Sequence, residues 1–182
     1  MVQSSGINRV IIHARKAWLN GLSPKENRNI PPLDYSLVYQ IKYEFPDLHI
    51  SLNGGVIDIE SARDALDLGM DGVMIGRAAY QTPFEILSRA DALIYGSKSG
   101  PDADVIAEQM ISYIERHLQS GGRLHQVTRH MFGLFSGKPG ARFWRRGLSA
   151  LGAQKSATAS DYQTLLKELS KISDKQPEFE VK

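Results

Sequence analysis

The sequence contains no cysteine among its 182 residues. Disulfide bonds, thiolate metal ligands and a cysteine nucleophile are therefore excluded within this chain. Long apolar runs are also missing, and the N-terminal segment MVQSSGINRVIIHAR is typical of neither a signal peptide nor a membrane span. We therefore expect a cytoplasmic protein with no membrane partner.

Neither sign of charge dominates, since Lys and Arg total 22, Asp and Glu total 20, and the net charge is +2. An anionic partner must therefore meet a local basic patch rather than a uniformly basic surface. The hydrophobic content of 42% and the charged content of 23% are typical of a soluble globular protein. A chain of this length can bury a core, and we expect one domain plus a smaller one.

The most informative stretch is LHISLNGGVIDIESARDALDLGMDGVMIGR, residues 48–77, which predicts a strand, a turn, a helix, a second strand and a second turn. Asp58 is the candidate N-cap of the helix, and Gly69 marks its end. Two strands joined by a single helix must be parallel. Both turns therefore follow the carboxyl ends of neighbouring strands.

Glycines at these strand ends indicate a phosphate site. Gly54 and Gly55 follow the first strand, and Gly76 follows the second, where Arg77 adds a forked charge. Without side chains in the way, backbone N–H groups can approach an anion closely. The alternative is that these glycines only make tight turns. Two glycine turns on successive parallel strands favour the phosphate site.

The beginning of the chain predicts a buried strand at residues 8–14, NRVIIHA, with His13 near its end. The long polar loop that follows carries Lys25 and Arg28, and a loop of this size is usually functional. Asp34 then begins a helix. Three strands cannot close a barrel, which needs eight, so we expect the back part of a larger barrel. The alternative is a self-contained three-layer domain.

The second half of the chain predicts helices without strands. Residues 97–103 are rich in Gly, Ser, Pro and Asp and predict a linker. The first helix after them has an apolar stripe made of Ile106, Met110, Ile114 and Leu118. Low hydrophobicity from Asp174 onward predicts a frayed tail.

Acidic residues are absent from residues 123–146, which are rich in arginine. Arg142 and Arg145 are three apart, so a helix would place them on one face, flanked by Phe143 and Trp144. Basic side chains interleaved with aromatic ones suit a phosphate backbone with unstacked bases nearby. The alternative is a solvated basic face with both aromatic rings in the core.

Four segments, HARKAWLNGLSPKENR, LNGG, DGVMIGRAAY and RHMFGLFSGKPGARFWRR, resemble the tRNA-dihydrouridine synthases, and in particular their bacterial A subfamily. The resemblance covers about residues 4–150. It implies an α/β fold in which the C-terminal part of a (β/α)8 TIM barrel precedes a small all-α helical bundle. The implied domains are a flavin-binding partial barrel at 1–96, the linker at 97–103 and a tRNA-binding helical domain at 104–182.

The same resemblance implies FMN-dependent reduction of uridine to 5,6-dihydrouridine at positions 20 and 20a of the tRNA D-loop, with NADPH as the reductant. It implies tRNA as the partner and no metal. The implied contacts with the flavin come from His13, Asn53, Gly54, Gly55, Gly76 and Arg77. The implied contacts with tRNA come from Lys25, Arg28, Arg142 and Arg145.

The family's first four strands and its uracil-protonating cysteine have no counterpart in this sequence. Because hydride transfer to uracil also needs a proton at the adjacent carbon, we expect no catalytic residue here and no activity from the chain alone. The expected partner is the missing N-terminal half of the barrel, and the chain is otherwise expected to be a monomer. One alternative is a non-catalytic tRNA-binding module derived from the family. Another is a different phosphate-binding barrel fragment that acts on a small metabolite, which the acid-free basic stretch disfavours.

Overall fold

The computed structural model describes residues 5–98 and 100–173. The predicted frayed tail, from Asp174 onward, lies outside the described residues. Contacts within the chain define two compact units, one up to Ala78 and the other from Ala79 onward. The assignment of 1–96, 97–103 and 104–182 to separate parts stays a prediction.

The first unit is built on a three-stranded parallel sheet in the order β1-β2-β3. The strands are β1 (Arg9–His13), β2 (His49–Asn53) and β3 (Gly72–Met74). Helix α2 (Tyr35–Glu44) lies between β1 and β2 in the chain, and α3 (Ile59–Asp67) lies between β2 and β3. The parallel arrangement predicted from the helical crossover is confirmed, and the carboxyl ends of all three strands share one edge.

Both long helices of this unit begin at aspartate N-caps, as the sequence predicted. The Asp34 carboxylate accepts a hydrogen bond from Leu37 N at 3.1 Å, and the Asp58 carboxylate accepts one from Ser61 N at 2.8 Å. Each bond satisfies a backbone donor that has no partner within its own helix. These caps fix where the chain enters the helices after the strand ends.

The two faces of the sheet have different environments. Val10, Ile12, Leu52 and other side chains on one face pack with α2 and α3 into a hydrophobic core. On the opposite face, Ile11 is 57% exposed and Met74 is 48% exposed. The prediction that β1 is a buried strand was therefore wrong for this face. Apolar composition favours a strand, but it does not say whether anything covers both of its faces.

The second unit is built from helices. Helix α4 (Arg77–Gln81) crosses the boundary between the units, and α5 (Pro83–Tyr95) follows it. The others are α6 (Ala103–Gln119), α7 (Leu124–Thr128), α8 (Ala141–Ala153) and α9 (Ala159–Ser173). Pro83 begins a new helix after α4, because proline lacks the N–H that would continue the first one. Within residues 5–98 and 100–173, no helix is long and apolar enough to cross a membrane.

Trp144 is the centre of the core in this second unit. Its side chain is fully buried, its indole Nε1 donates to Met131 O at 2.8 Å, and its ring packs edge-on against Phe135 and Tyr162. Phe143 is half-buried against the same core. The interpretation of Trp144 as a surface for unstacked bases was therefore wrong, and the alternative of a core residue is correct for it.

Candidate functional site

The carboxyl ends of the three strands bring His13, Asn53 and Met74 into register. Asn53 Nδ2 donates to Met74 O at 2.7 Å, so its Oδ1 is the atom that lies 2.6 Å from His13 Nδ1. An amide oxygen only accepts, so His13 Nδ1 must carry the proton in this pair. In the neutral ring Nε2 is then an acceptor, and this nitrogen is available to a ligand.

The turn after β2 is held open by two consecutive glycines in the left-handed region, with φ of 102° at Gly54 and 74° at Gly55. A Cβ on Gly54 would lie 3.1 Å from the His13 ring, and one on Gly55 would lie 2.4 Å from Leu33 Cδ1. Tyr35 Oη donates to Gly54 O at 2.8 Å, and burial raises the pKa of this phenol although Arg15 opposes the shift. Glycine is therefore required at both positions by conformation and by space.

Gly76, after β3, differs from these two glycines. Its φ is not positive, and nothing lies within 4 Å of the position where a Cβ would be. Neither backbone conformation nor packing in the described residues demands glycine there. The assignment of Gly76 to a phosphate turn stays a prediction.

Arg77, beside Gly76, is held by the long loop that follows β1. Its Nη1 donates to Asn29 Oδ1 at 2.6 Å, and its Nη2 donates to Arg28 O at 3.2 Å. A guanidinium has five N–H donors, so these two bonds leave three for an anion. The predicted phosphate residue therefore also anchors the loop that carries the predicted RNA contacts.

Asn29 is the centre of this anchorage, and no pattern in the sequence selected it. Its Nδ2 donates to Lys25 O at 3.2 Å, and its backbone carbonyl accepts from Arg15 Nη1 at 3.1 Å. Together with the bond from Arg77, these contacts tie the loop to the ends of β1 and β3. Lys25 and Arg28 are both exposed, and each has its backbone carbonyl fixed by the network.

The loop also contains a short helix, α1 (Pro24–Asn27), where only an irregular segment was predicted. Ser23 and Glu26 form a capping box: Ser23 N donates to Glu26 Oε2 at 2.8 Å, and Glu26 N donates to Ser23 Oγ at 3.3 Å. The hydrogen bonds from Ser23 hold the pKa of Glu26 below its usual value. The pattern Ser-x-x-Glu was the signal for this helix start.

The other two predicted RNA contacts, Arg142 and Arg145, lie on α8 in the second unit, and both are exposed. Arg145 lines a cleft with Arg129 and His130. The first unit thus contains all six residues predicted to contact the cofactor, together with Lys25 and Arg28. The second unit contains Arg142 and Arg145. The roles of all these residues toward a ligand stay predictions.

Comparison with known proteins adds a family. The model of the family "Dihydrouridine synthase (Dus)" matches residues 1–171. A tRNA-dihydrouridine(20/20a) synthase from Shewanella oneidensis is 56% identical over 149 residues, which are 81% of this chain and 44% of that protein. Proteins of the same name are 54% identical in Escherichia coli, over 91% of this chain and 47% of theirs, and 51% identical in Vibrio vulnificus, over 81% and 45%. The chain therefore spans about half the length of these relatives.

Proposed function

Because the chain belongs to the dihydrouridine synthase family, we propose that it supplies part of an enzyme that reduces uridine to 5,6-dihydrouridine at positions 20 and 20a of tRNA. The observation that carries this proposal is the shared strand edge. There the His13–Asn53–Met74 chain of hydrogen bonds lies next to glycine turns, and Arg77 connects the edge to a loop of exposed cations. Such an edge suits a phosphorylated cofactor beside an RNA substrate.

The sheet is proposed to be part of an eight-stranded barrel. Its order follows the chain, and helices α2 and α3 pack on one face. The face that carries Ile11 and Met74 would be the interior of the barrel, where side chains of all strands fill the centre in layers. The exposure of these apolar side chains supports this assignment, since an open sheet would leave them in water.

FMN is the cofactor that we propose for the strand edge. At Gly76 nothing lies within 4 Å of the position of a Cβ, and the neighbouring Arg77 retains three donors, so these two residues suit a phosphate group. FMN, when bound, would accept hydride from NADPH and deliver it to the uracil ring. The chain's own part is to bind the phosphate and to orient one edge of the cofactor.

His13 has a defined task in this arrangement. With its proton on Nδ1, directed to Asn53, the neutral ring offers Nε2 as an acceptor. It would therefore receive a hydrogen bond from an N–H or hydroxyl of the cofactor rather than donate to its phosphate. Asn53 fixes both the tautomer and the orientation of the ring.

The RNA surface is proposed to comprise Lys25 and Arg28 on the anchored loop and Arg142 and Arg145 on α8. All four side chains are exposed cations. tRNA as partner keeps the cytoplasm as the proposed location. The chain alone is proposed not to produce dihydrouridine, because none of its residues is a cysteine that could protonate the uracil.

A chimera tests the proposal directly. The region of the Escherichia coli relative that matches this chain over 167 residues would be replaced by this chain, and dihydrouridine would be measured by mass spectrometry in tRNA from cells lacking that relative. We expect dihydrouridine at positions 20 and 20a, and loss of it when the chimera carries His13→Ala. A chimera that folds, binds tRNA and leaves these positions unmodified would indicate a non-catalytic tRNA-binding module instead. The isolated chain, incubated with FMN, NADPH and unmodified tRNA, is the control that should give no product.

A further inference from the structure

A cleft of about 210 Å³ lies in the second unit, and none of the residues assigned to the cofactor lines it. None of the residues that line it is Asp or Glu. Its walls include Tyr80, Arg129, His130, Phe132, Ser136 and Arg145. The sequence singled out Arg145 alone among these residues. The cleft therefore combines positive charge, hydroxyl groups and aromatic rings at one place.

Hydrogen bonding determines which groups the cleft offers. Arg129 Nε lies 3.0 Å from His130 Nε2, and His130 Nδ1 lies 3.0 Å from Tyr80 Oη. Arginine cannot accept a hydrogen bond, so His130 Nε2 must be the acceptor and the proton of the neutral ring must be on Nδ1. Nδ1–H then donates to Tyr80 Oη. The phenolic hydrogen of Tyr80 is not used on His130 and remains as a donor.

The two arginines carry charge that the described part of the chain does not neutralise. No carboxylate in residues 5–98 and 100–173 forms an ion pair with Arg129 or Arg145. Both side chains are exposed, so neither is costly to keep charged in water. Guanidinium groups with exposed donors suit phosphate oxygens, which they can bind in pairs.

We propose that this cleft binds one phosphodiester of the tRNA backbone, with the adjoining base against the rings of Tyr80 and Phe132. The inference rests on the proposed function. Arg129 and Arg145 would neutralise the phosphate, while Tyr80 O–H and the Ser136 hydroxyl would donate to its oxygens. Tyr80 is 58% exposed, so its ring is accessible to a base.

Size favours an RNA segment over a whole small molecule. Pockets that enclose complete cofactors are roughly 300–1,000 Å³. The cleft, at about 210 Å³, is smaller than that and open to solvent, so it suits one nucleotide of a longer chain. Gly133 shapes its wall, because a Cβ there would lie 2.3 Å from Gln81 O. The backbone of 79–83 can approach residues 131–136 only because this position has no side chain.

The test is a salt titration of tRNA binding to the complete chain. An unmodified tRNA transcript would be titrated by fluorescence anisotropy at several KCl concentrations. For Arg129→Ala with Arg145→Ala we expect binding at 0.15 M salt to weaken by about tenfold, and the slope of log K against log salt to fall by about two. Tyr80→Phe should weaken binding by roughly threefold and leave the slope unchanged, since it removes a hydroxyl and no charge.

The matched control is Arg116→Ala, which removes an exposed arginine of α6 that does not line the cleft. It should change the affinity by less than about twofold. An unchanged slope in the double variant, with tRNA still bound by the unaltered chain, would overturn the inference and remove Arg145 from the proposed RNA surface. The proposed reaction and the other RNA contacts would stand. No tRNA binding by the unaltered chain would overturn both the inference and the proposed function. A parallel NADPH titration identifies the rival ligand: weaker NADPH binding in the double variant with normal tRNA binding would reassign the cleft to the reductant.

Discussion

Replacing Trp144 by phenylalanine separates the two interpretations of the aromatic residues on α8. The indole is fully buried, and its N–H donates to Met131 O. That carbonyl also accepts from Leu134 N at 3.1 Å, so it would keep one partner in the variant. We therefore place the loss of the hydrogen bond at about 1 kcal/mol. The smaller ring would leave a cavity and lost packing that cost about 1–2 kcal/mol more.

The total for Trp144→Phe is a loss of about 2–3 kcal/mol in the free energy of unfolding. For a chain of this size that corresponds to a fall in melting temperature of roughly 4–12 °C. Far-UV circular dichroism on heating and in urea would measure it. The control is Trp18→Phe, because Trp18 is 47% exposed and its replacement should cost less than about 0.5 kcal/mol.

The same variant should bind tRNA normally at a temperature where it is folded. If Trp144 stacked against a base, its replacement by the smaller ring would weaken tRNA binding without changing the melting temperature. That result would refute the assignment of Trp144 to the core. It would also mean that the packing around Phe135 and Tyr162 is not the packing of the protein in solution.

Further substitutions address the first unit. Asn29→Ala should release the loop, so that trypsin cleaves it several-fold faster, whereas Asn29→Asp keeps an acceptor for the neighbouring guanidinium and should stay protected. Gly55→Ala should destabilise the fold by about 1–3 kcal/mol in urea unfolding, since this position combines positive φ with a close contact. At Gly76 no atom lies within 4 Å of the position of a Cβ, so Gly76→Ala should lower only the affinity for FMN, measured by flavin fluorescence. Burial alone would raise the pKa of Asp71, but hydrogen bonds from Lys42 and the β2 backbone outweigh it and hold the pKa below its ordinary value. Because the pKa of Asp71 is lower in the folded state than in the unfolded state, where it is near 3.8, the ionised carboxylate stabilises the fold above that pH. This stabilisation is lost as the pH falls through the folded pKa. Lys42→Met should therefore flatten the acid limb of a pH–stability curve.

Local signals in the sequence predicted the framework of the first unit. Asp34 and Asp58 act within three residues of themselves, so their N-caps could be identified directly. The parallel pairing of β2 with β3 followed from the single helix that joins them. These features depend on short-range chemistry or on topology, and both are visible in the order of the residues.

The features that were missed depend on tertiary contacts. Asn29 meets Arg77 across 48 residues, and nothing in the local pattern selects that asparagine from the others in the loop. The exposure of Ile11 could not be predicted either, because an apolar strand residue looks the same whether or not another element covers it. The burial of Trp144 shows the converse, since an aromatic ring between arginines has the same local sequence on a surface or in a core.

The spacing of the strand pairs also sets an order in which the strand edge assembles during folding. The bond from Asn53 to Met74 closes 21 residues, whereas the bond from His13 to Asn53 closes 40. Loop-closure entropy rises by about 0.6 kcal/mol for each doubling of length, so the pairing of β2 with β3 is the less costly first step. Pulse-labelling hydrogen exchange should protect the β2–β3 amides before those of β1. His13 would then form its hydrogen bond last, with an Asn53 side chain that already donates to Met74 O in β3.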